Sequence, residues 1–226
     1  MRSMATHYRR YRSWGDDQIF TYIYRRGLWG QDPAQPFRSG TGSLPEFSKP
    51  FEDFAVALIA ATEASSIVDI GCGDFQVSRR ILERLPKPVH YLGLEVVDEL
   101  VAHNTAAFGS DRVRFAAPSA DGDYSAADLM IIRQVLQHNS NANIARILAR
   151  ARRRCRWLLI AEHVPVKPRH LNLDIRTGHG TRLDIGSGVF VDRPPFDLPI
   201  DRAVEFPMDD TTTLRVTVSQ FGRESN

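Results

Sequence analysis

Cysteine is scarce in this chain of 226 residues: Cys72 and Cys155 are too few for a disulfide framework. A reducing, cytoplasmic setting is therefore expected. Long hydrophobic runs are also missing. The longest, FAVALIAA at 54–61, falls well short of the roughly 18 residues a membrane span needs, so no membrane role is expected. The N-terminal MRSMATHYRRYRSWGDD is rich in arginine but has no apolar core of the secretory kind, and Asp16 and Asp17 weigh against a transit sequence. Neither sign of charge dominates, since 29 Lys and Arg against 27 Asp and Glu leave a net charge of +2, too balanced for a nucleic-acid coat. No His, Asp or Asn cluster has ligand spacing, so no metal is expected.

What is present is enough apolar material, 42% of residues, for one compact domain with appendages. DDQIFTYIYRR at 16–26 predicts a short helix, capped by Asp16 or Asp17 and stopped at Gly27, and 46–63 predicts a longer one. From residue 66 short apolar runs alternate with helical periodicity: SIVDI (66–70), YLGLE (91–95), VRFAA (113–117), DLMIIR (128–133) and WLLIAEH (157–163). Val77, Ile81, Leu82 and Leu85 share one helix face; Val97, Leu100 and Val101 another; Ile144, Ile147, Leu148 and Ala151 a third. This pattern predicts an α/β fold with a doubly wound, mostly parallel sheet and helices on both faces. The tail TTTLRVTVSQF alternates, which predicts an antiparallel edge strand paired with AVEF at 203–206. The expected organisation is a helical N-terminal segment, 1–45, covering the site, and a main domain, 46–226. Within it 167–202, rich in Gly, Pro and Asp, is a substrate-covering insertion.

The chemistry concentrates in the turn Asp69-Ile70-Gly71-Cys72-Gly73-Asp74. Glycines at the end of a first strand let a ligand approach the backbone closely. A pyrophosphate would want bare amides with nothing negative nearby. Here two carboxylates flank the glycines; they repel a diphosphate and favour a cationic nucleoside. The third glycine of the dinucleotide fingerprint is missing, the chain reading Val77-Ser78-Arg79 instead. Glu95 ends the second run, where a carboxylate can accept both ribose hydroxyls. S-adenosylmethionine (SAM), with its ammonium, its sulfonium and an unphosphorylated ribose, satisfies all three observations. The same pattern recurs as Asp184-Ile185-Gly186-Ser187-Gly188, but without a strand before it or a helix after it, so that copy is expected to be a turn.

VDIGCGDF, GLEVVDEL, ADLMIIRQVLQH and WLLIAEH, in this order across 64–165, resemble the class I SAM-dependent methyltransferases. The resemblance implies a seven-stranded sheet ending in an antiparallel hairpin, Gly71 and Gly73 lining the methionine moiety, Glu95 on the ribose and Val96 against adenine. It further implies that Ser39, Gly40 and Ser43, in WGQDPAQPFRSGTGS, close over the methionine end. The family's acidic residue near adenine is replaced by Pro118-Ser119-Ala120, with Asp121 displaced. The expected cofactor contacts are therefore Asp69, Gly71, Cys72, Gly73, Asp74, Phe75, Glu95, Val96, Ser119, Ala120, Arg133 and Gln134, with the three N-terminal residues.

Methyl transfer needs a positioned nucleophile, and a general base only where the acceptor must lose a proton. His138 and His163, near the ends of the fourth and fifth runs, are the catalytic candidates; Glu162 is expected to be structural. Cys72 has no cationic neighbour in sequence and is not expected to act as a thiol nucleophile. The expected activity is methyl transfer to a hydroxyl or carboxyl of a small metabolite or sugar-containing compound. Two alternatives stay open: an RNA or protein acceptor met by the arginine-rich N-terminus (Tyr8, Arg9, Arg10, Tyr11, Arg12, Trp14) and by 150–156, and a catalytically inert SAM-binding module.

Overall fold

A computed structural model describes residues 11–33, 35–119 and 123–222. The five apolar runs form parallel strands: β1 Ser66–Ile70, β2 His90–Leu94, β3 Val113–Ala116, β4 Ala127–Arg133 and β5 Cys155–Pro165. Two short strands, β6 His170–Leu171 and β7 Ser187–Gly188, make a separate parallel ladder. The chain ends in an antiparallel hairpin of β8 Arg202–Pro207 and β9 Thr212–Gln220. Across the seven-stranded sheet the order is β3-β2-β1-β4-β5-β9-β8. Strand order reverses between β1 and β4, and open α/β sheets bind ligands at the carboxyl ends beside such a switch point.

Side chains alternate between the faces of each strand. Ile67, Leu129, Ile131 and Leu159 enter one apolar cluster, with Phe51, Ala55, Ile59, Val77 and Ile81. These come from α2 Pro45–Thr62 and α3 Gln76–Glu83. Val68, Met130, Ile132, Leu158 and Ile160 enter the other, with Ile144, Leu148 and Ala151 of α5 Asn141–Arg154. Helices therefore cover both faces. Of the two remaining helices, α4 Asp98–Phe108 runs to Gly109, and α1 Asp16–Arg25 buries Ile19 and Ile23 in a satellite aromatic cluster. Among the described residues no helix is long and apolar enough to cross a membrane.

Three local expectations are corrected. The α1 cap is Gly15, not an aspartate; Asp16 instead accepts Asn143 Nδ2 from α5 at 2.9 Å. Leu85 lies beyond the end of α3. And β9 is not an edge strand, because it lies between β5 and β8. Its leucine–valine face packs as the alternation predicts, but Thr213, Thr217 and Ser219 on the other face are buried too. Ser219 Oγ donates to Pro199 O at 2.7 Å and Thr213 Oγ1 to Phe206 O at 3.0 Å. The edge is β8, whose residues are exposed or half-buried.

Polar ties, not apolar period, order the segment 167–202. Asn172 is buried, donates from Nδ2 to Phe190 O (2.9 Å) and Pro194 O (2.8 Å), and accepts Phe190 N (2.7 Å) on Oδ1. The second copy of the glycine pattern is a turn only in part: Asp184 and Ile185 end a single turn of 3-10 helix that Gly186 closes at φ +67°, and Ser187–Gly188 then form β7.

Ile132, 0% exposed in the middle of the sheet, sets the energetic scale of this core. Ile132→Ala is expected to lower the unfolding free energy by about 2–5 kcal/mol. Val204→Ala, on the edge strand, is expected to cost about 1 kcal/mol or less, both read from equilibrium urea denaturation.

Candidate functional site

A cavity of about 220 Å³ opens at the carboxyl ends of β1, β2 and β4, just under the roughly 300–1,000 Å³ of typical ligand pockets. Its floor is the glycine turn. Gly71 and Gly73 have φ of +75° and +55°, values that side-chain-bearing residues rarely adopt. Space forbids a side chain as well: a Cβ on Gly71 would lie 2.5 Å from Val135 Cγ2, and one on Gly73 2.4 Å from Ser39 Oγ. Leu94 O ties the turn to β2 by accepting Gly71 N at 2.8 Å and Cys72 N at 3.1 Å.

Three buried carboxylates surround this turn. Asp69 accepts Ser78 Oγ at 2.5 Å and Tyr91 OH at 2.8 Å on one oxygen. Burial raises its carboxyl, against the pull of those donors. Asp74 and Ser39 are bonded reciprocally: Ser39 N donates to Asp74 Oδ2 at 3.0 Å, and Asp74 N to Ser39 Oγ at 2.8 Å. Glu95 accepts Gly73 N on Oε2 (3.1 Å), and Val96 N (2.8 Å) and Val97 N (3.2 Å) on Oε1. Burial pushes Glu95 up from 4.5 to about 7, even with three amides favouring the ionised form. A carboxylate offers about four lone-pair sites, so Oε2 retains capacity for another donor.

The N-terminal segment closes the opposite wall. Tyr24 OH lies 2.9 Å from Ser39 Oγ, and Phe20, Tyr24 and Trp29 line the cavity. Arg80 of α3 donates to Ser43 O at 2.8 Å while pairing with Glu52, also at 2.8 Å. Arg133 donates to Gly42 O and lies over the Phe51 ring; burial brings its guanidinium down to about 10.

Beyond β4 the chain turns sharply. Gln134 takes φ +54° and donates its amide to Ala161 O at 2.8 Å. Leu136–His138 follow as one 3-10 turn. His138 lines the cavity, and its ring lies 4.8 Å from that of Trp29. Its Nδ1 faces Gly180 O at 3.1 Å. A carbonyl can only accept, so Nδ1 carries the proton and Nε2 keeps its lone pair. Burial lowers this histidine to about 4.

Of the residues expected from the sequence, the cavity gathers Ser39, Ser43, Asp69, Gly71, Cys72, Gly73, Asp74, Glu95, Val96, Arg133, Gln134 and His138. It does not gather Gly40, Phe75, Ser119 or His163. Phe75 is turned into the core, with its ring 4.9–5.4 Å from those of Tyr91, Phe108 and Phe115. His163 pairs across the sheet with Leu214, and its ring reaches Gln134 Nε2 at 3.4 Å without lining the cavity. Gly40 takes φ +92° in the turn that leads into Thr41–Ser43. Pro118 lines the wall where Ser119 was expected, and Ala120 lies outside the described residues, as do Asp121, Tyr8, Arg9 and Arg10. No residue of 167–202 lines the cavity; that segment touches the site from behind, through Gly180 on His138 and His179 O on Trp29 Nε1 (3.1 Å). Asp16, Phe20, Tyr24, Trp29, Tyr124, Ile147 and Arg150 also line it, and sequence reasoning missed them. The stretch 16–26 read as a helix, but nothing in it said what lay beneath its aromatic side chains.

No family model and no curated protein matches the sequence. Solved structures do match the fold. Magnesium protoporphyrin IX methyltransferase (ChlM) from Synechocystis PCC 6803 with bound S-adenosylhomocysteine (SAH) superposes with a TM-score of 0.59 at 14% identity, over 92% of this chain and 100% of that one. Human N-acetylserotonin methyltransferase in complex with SAM gives 0.58 at 13% identity, over 92% of this chain and 60% of that one. An O-methyltransferase family protein from Burkholderia thailandensis gives 0.53 at 18% identity, over 80% of this chain. The chain spans 58% of that protein's length. The fold is that of the class I SAM-dependent methyltransferases, as the sequence resemblance implied.

Glu95 links this site to stability. Between its unfolded value of 4.5 and its folded value of about 7 the folded state holds the extra proton, so rising pH favours unfolding. His138 and His163, lowered from 6.5 to about 4, act in the opposite sense over nearly the same window. Comparison with Glu95→Gln at each pH cancels the histidines. The wild type is expected to lose stability relative to Glu95→Gln from pH 4.5 to 7 and to hold level above, as measured by urea denaturation across that range.

Proposed function

We propose that this protein is a SAM-dependent methyltransferase acting on a small-molecule acceptor. The observation that carries the proposal is the hollow over Gly71 and Gly73, ringed by Asp69, Asp74 and Glu95. Its donor set fits the group: the glycines leave room that a Cβ would fill, and the acids suit an ammonium and a sulfonium while repelling a diphosphate. Glu95 would hold the ribose, Val96 and Pro118 the adenine, and Asp69, Ser39, Ser43 and Arg133 the amino-acid end. When bound there, SAM supplies an electrophilic methyl group on a positively charged sulfur.

The chain's own residues then bind, orient and exclude water. The aromatic wall of α1 and Trp29 shields the hollow, and Ser39, tied to Asp74, fastens that wall to the turn. His138 lines the cavity as a neutral imidazole whose Nε2, 3.4 Å from Gln137 Nε2, keeps the lone pair. A group lowered to about 4 is a weak base, suited to accepting a hydrogen bond from an acceptor hydroxyl or to standing beside a carboxylate that needs no deprotonation.

The nucleic-acid alternative loses support from topology. Because α5 runs antiparallel to the strands, Arg152, Arg153 and Arg154 in its last turn lie at the edge of the sheet opposite the cavity. Arg153 and Arg154 are also paired with Asp123.

Isothermal titration with SAH is expected to give a Kd of about 1–100 µM, within the range usual for enzyme ligands. Glu95→Ala is expected to weaken it about 10–100-fold, the worth of hydrogen bonds to a charged group. Absence of binding at millimolar SAH would exclude the proposal. Methyl-labelled SAM incubated with fractionated extract is expected to label a small molecule; binding without any labelled product would leave the inert module standing instead.

A further inference from the structure

We infer that Arg182 is a positioning residue for His138, reaching the site from the segment 167–202. The inference takes from the methyl-transfer reading only the assignment of His138 to the acceptor. Arg182 is 1% exposed, and the ion pairs among the described residues do not include it. Its hydrogen bonds go to oxygens of the chain: Nη1 to Leu136 O (3.1 Å) and Gln137 O (3.4 Å), Nη2 to Asn139 O (2.8 Å) and Asn141 Oδ1 (2.8 Å), and Nε to Leu173 O (2.9 Å). A buried guanidinium is costly to desolvate, and only a full set of acceptors makes it tolerable.

The acceptors it uses belong to the turn that carries His138. The opposite side of that turn is held by Glu162, 2% exposed. Glu162 accepts Val135 N at 3.1 Å, Leu136 N at 2.8 Å and Gln137 N at 3.1 Å. Anion on the amide end and cation on the carbonyl end complement the dipole of the 3-10 turn at both ends. The backbone of Leu136–His138 is thus gripped between opposite charges from β5 and from 167–202.

Arg182 also sits two residues from Gly180, the carbonyl that fixes the ring. Gly178 N donates to His138 O at 3.0 Å in the same stretch. Anchoring Arg182 therefore holds both the backbone of His138 and the acceptor that selects its tautomer. Gly180 O faces Nδ1, and the Gln137 amide nitrogen lies 3.4 Å from Nε2; both partners hang on backbone that Arg182 ties, so losing that tie frees the proton to move to Nε2.

Long-range proton–nitrogen NMR of the full-length protein at pH 8, with His138 assigned through His138→Asn, reads this directly. The wild type is expected to show His138 as a single Nδ1–H tautomer. Arg182→Met and the milder Arg182→Lys are expected to show averaging between tautomers while remaining folded by circular dichroism and binding SAH within about 3-fold of wild type. A single unchanged Nδ1–H tautomer in folded Arg182→Lys overturns the proposal, as does a wild type without that tautomer. So does an unchanged tautomer with SAH affinity lost. The tautomer is read without cofactor, so failure of SAH to bind the wild type would strike the methyl-transfer reading and leave this test intact.

Discussion

A carboxylate withdrawn from water must find donors, and at the carboxyl edge of this sheet the donors are backbone amides of the turns that make the site. Glu95 takes three, from Gly73, Val96 and Val97. Glu162 takes three from the turn after β4. Asp74 takes one from Ser39, across 35 residues of sequence. Each tie shapes a loop, and those of Asp74 and Glu95 leave acid beside the hollow. Shape and electrostatic preference therefore have one origin.

Much of the fold was legible because it follows from side-chain period. Ser66–Ile70 reads as a strand, and forms one with the same limits, because alternate residues face two apolar layers. Asp69, the glycines and Glu95 were legible because bare backbone and paired acids at strand ends have few other uses. The interior place of β9 was hidden, since its threonines and serine look like a solvent face until residues 189–200 are seen to cover them. Phe75 was misplaced because proximity to a glycine turn in sequence does not say which way a ring points. Its left-handed φ of 63° turns it into the core.

What sequence could not supply are contacts across long separations between residues without period. Tyr24 meets Ser39 and Gly73 because α1 lies across the cavity, and nothing in α1 names its partner. Trp29 donates to His179 O, 150 positions away. Arg182 stood unremarked among the glycines and prolines of 167–202, yet it is the largest of the fully buried side chains. That segment's contacts to the site run from behind, to the loop bearing His138.

The central claim is that the acid-ringed hollow selects a cationic, unphosphorylated nucleoside. A crystal soaked with equal concentrations of SAM and NAD tests it most directly. Density for SAM alone is expected, with its ribose on Glu95 and its sulfonium end over Gly71. A diphosphate seated against Gly71, or a ribose bound away from Glu95, would contradict the claim.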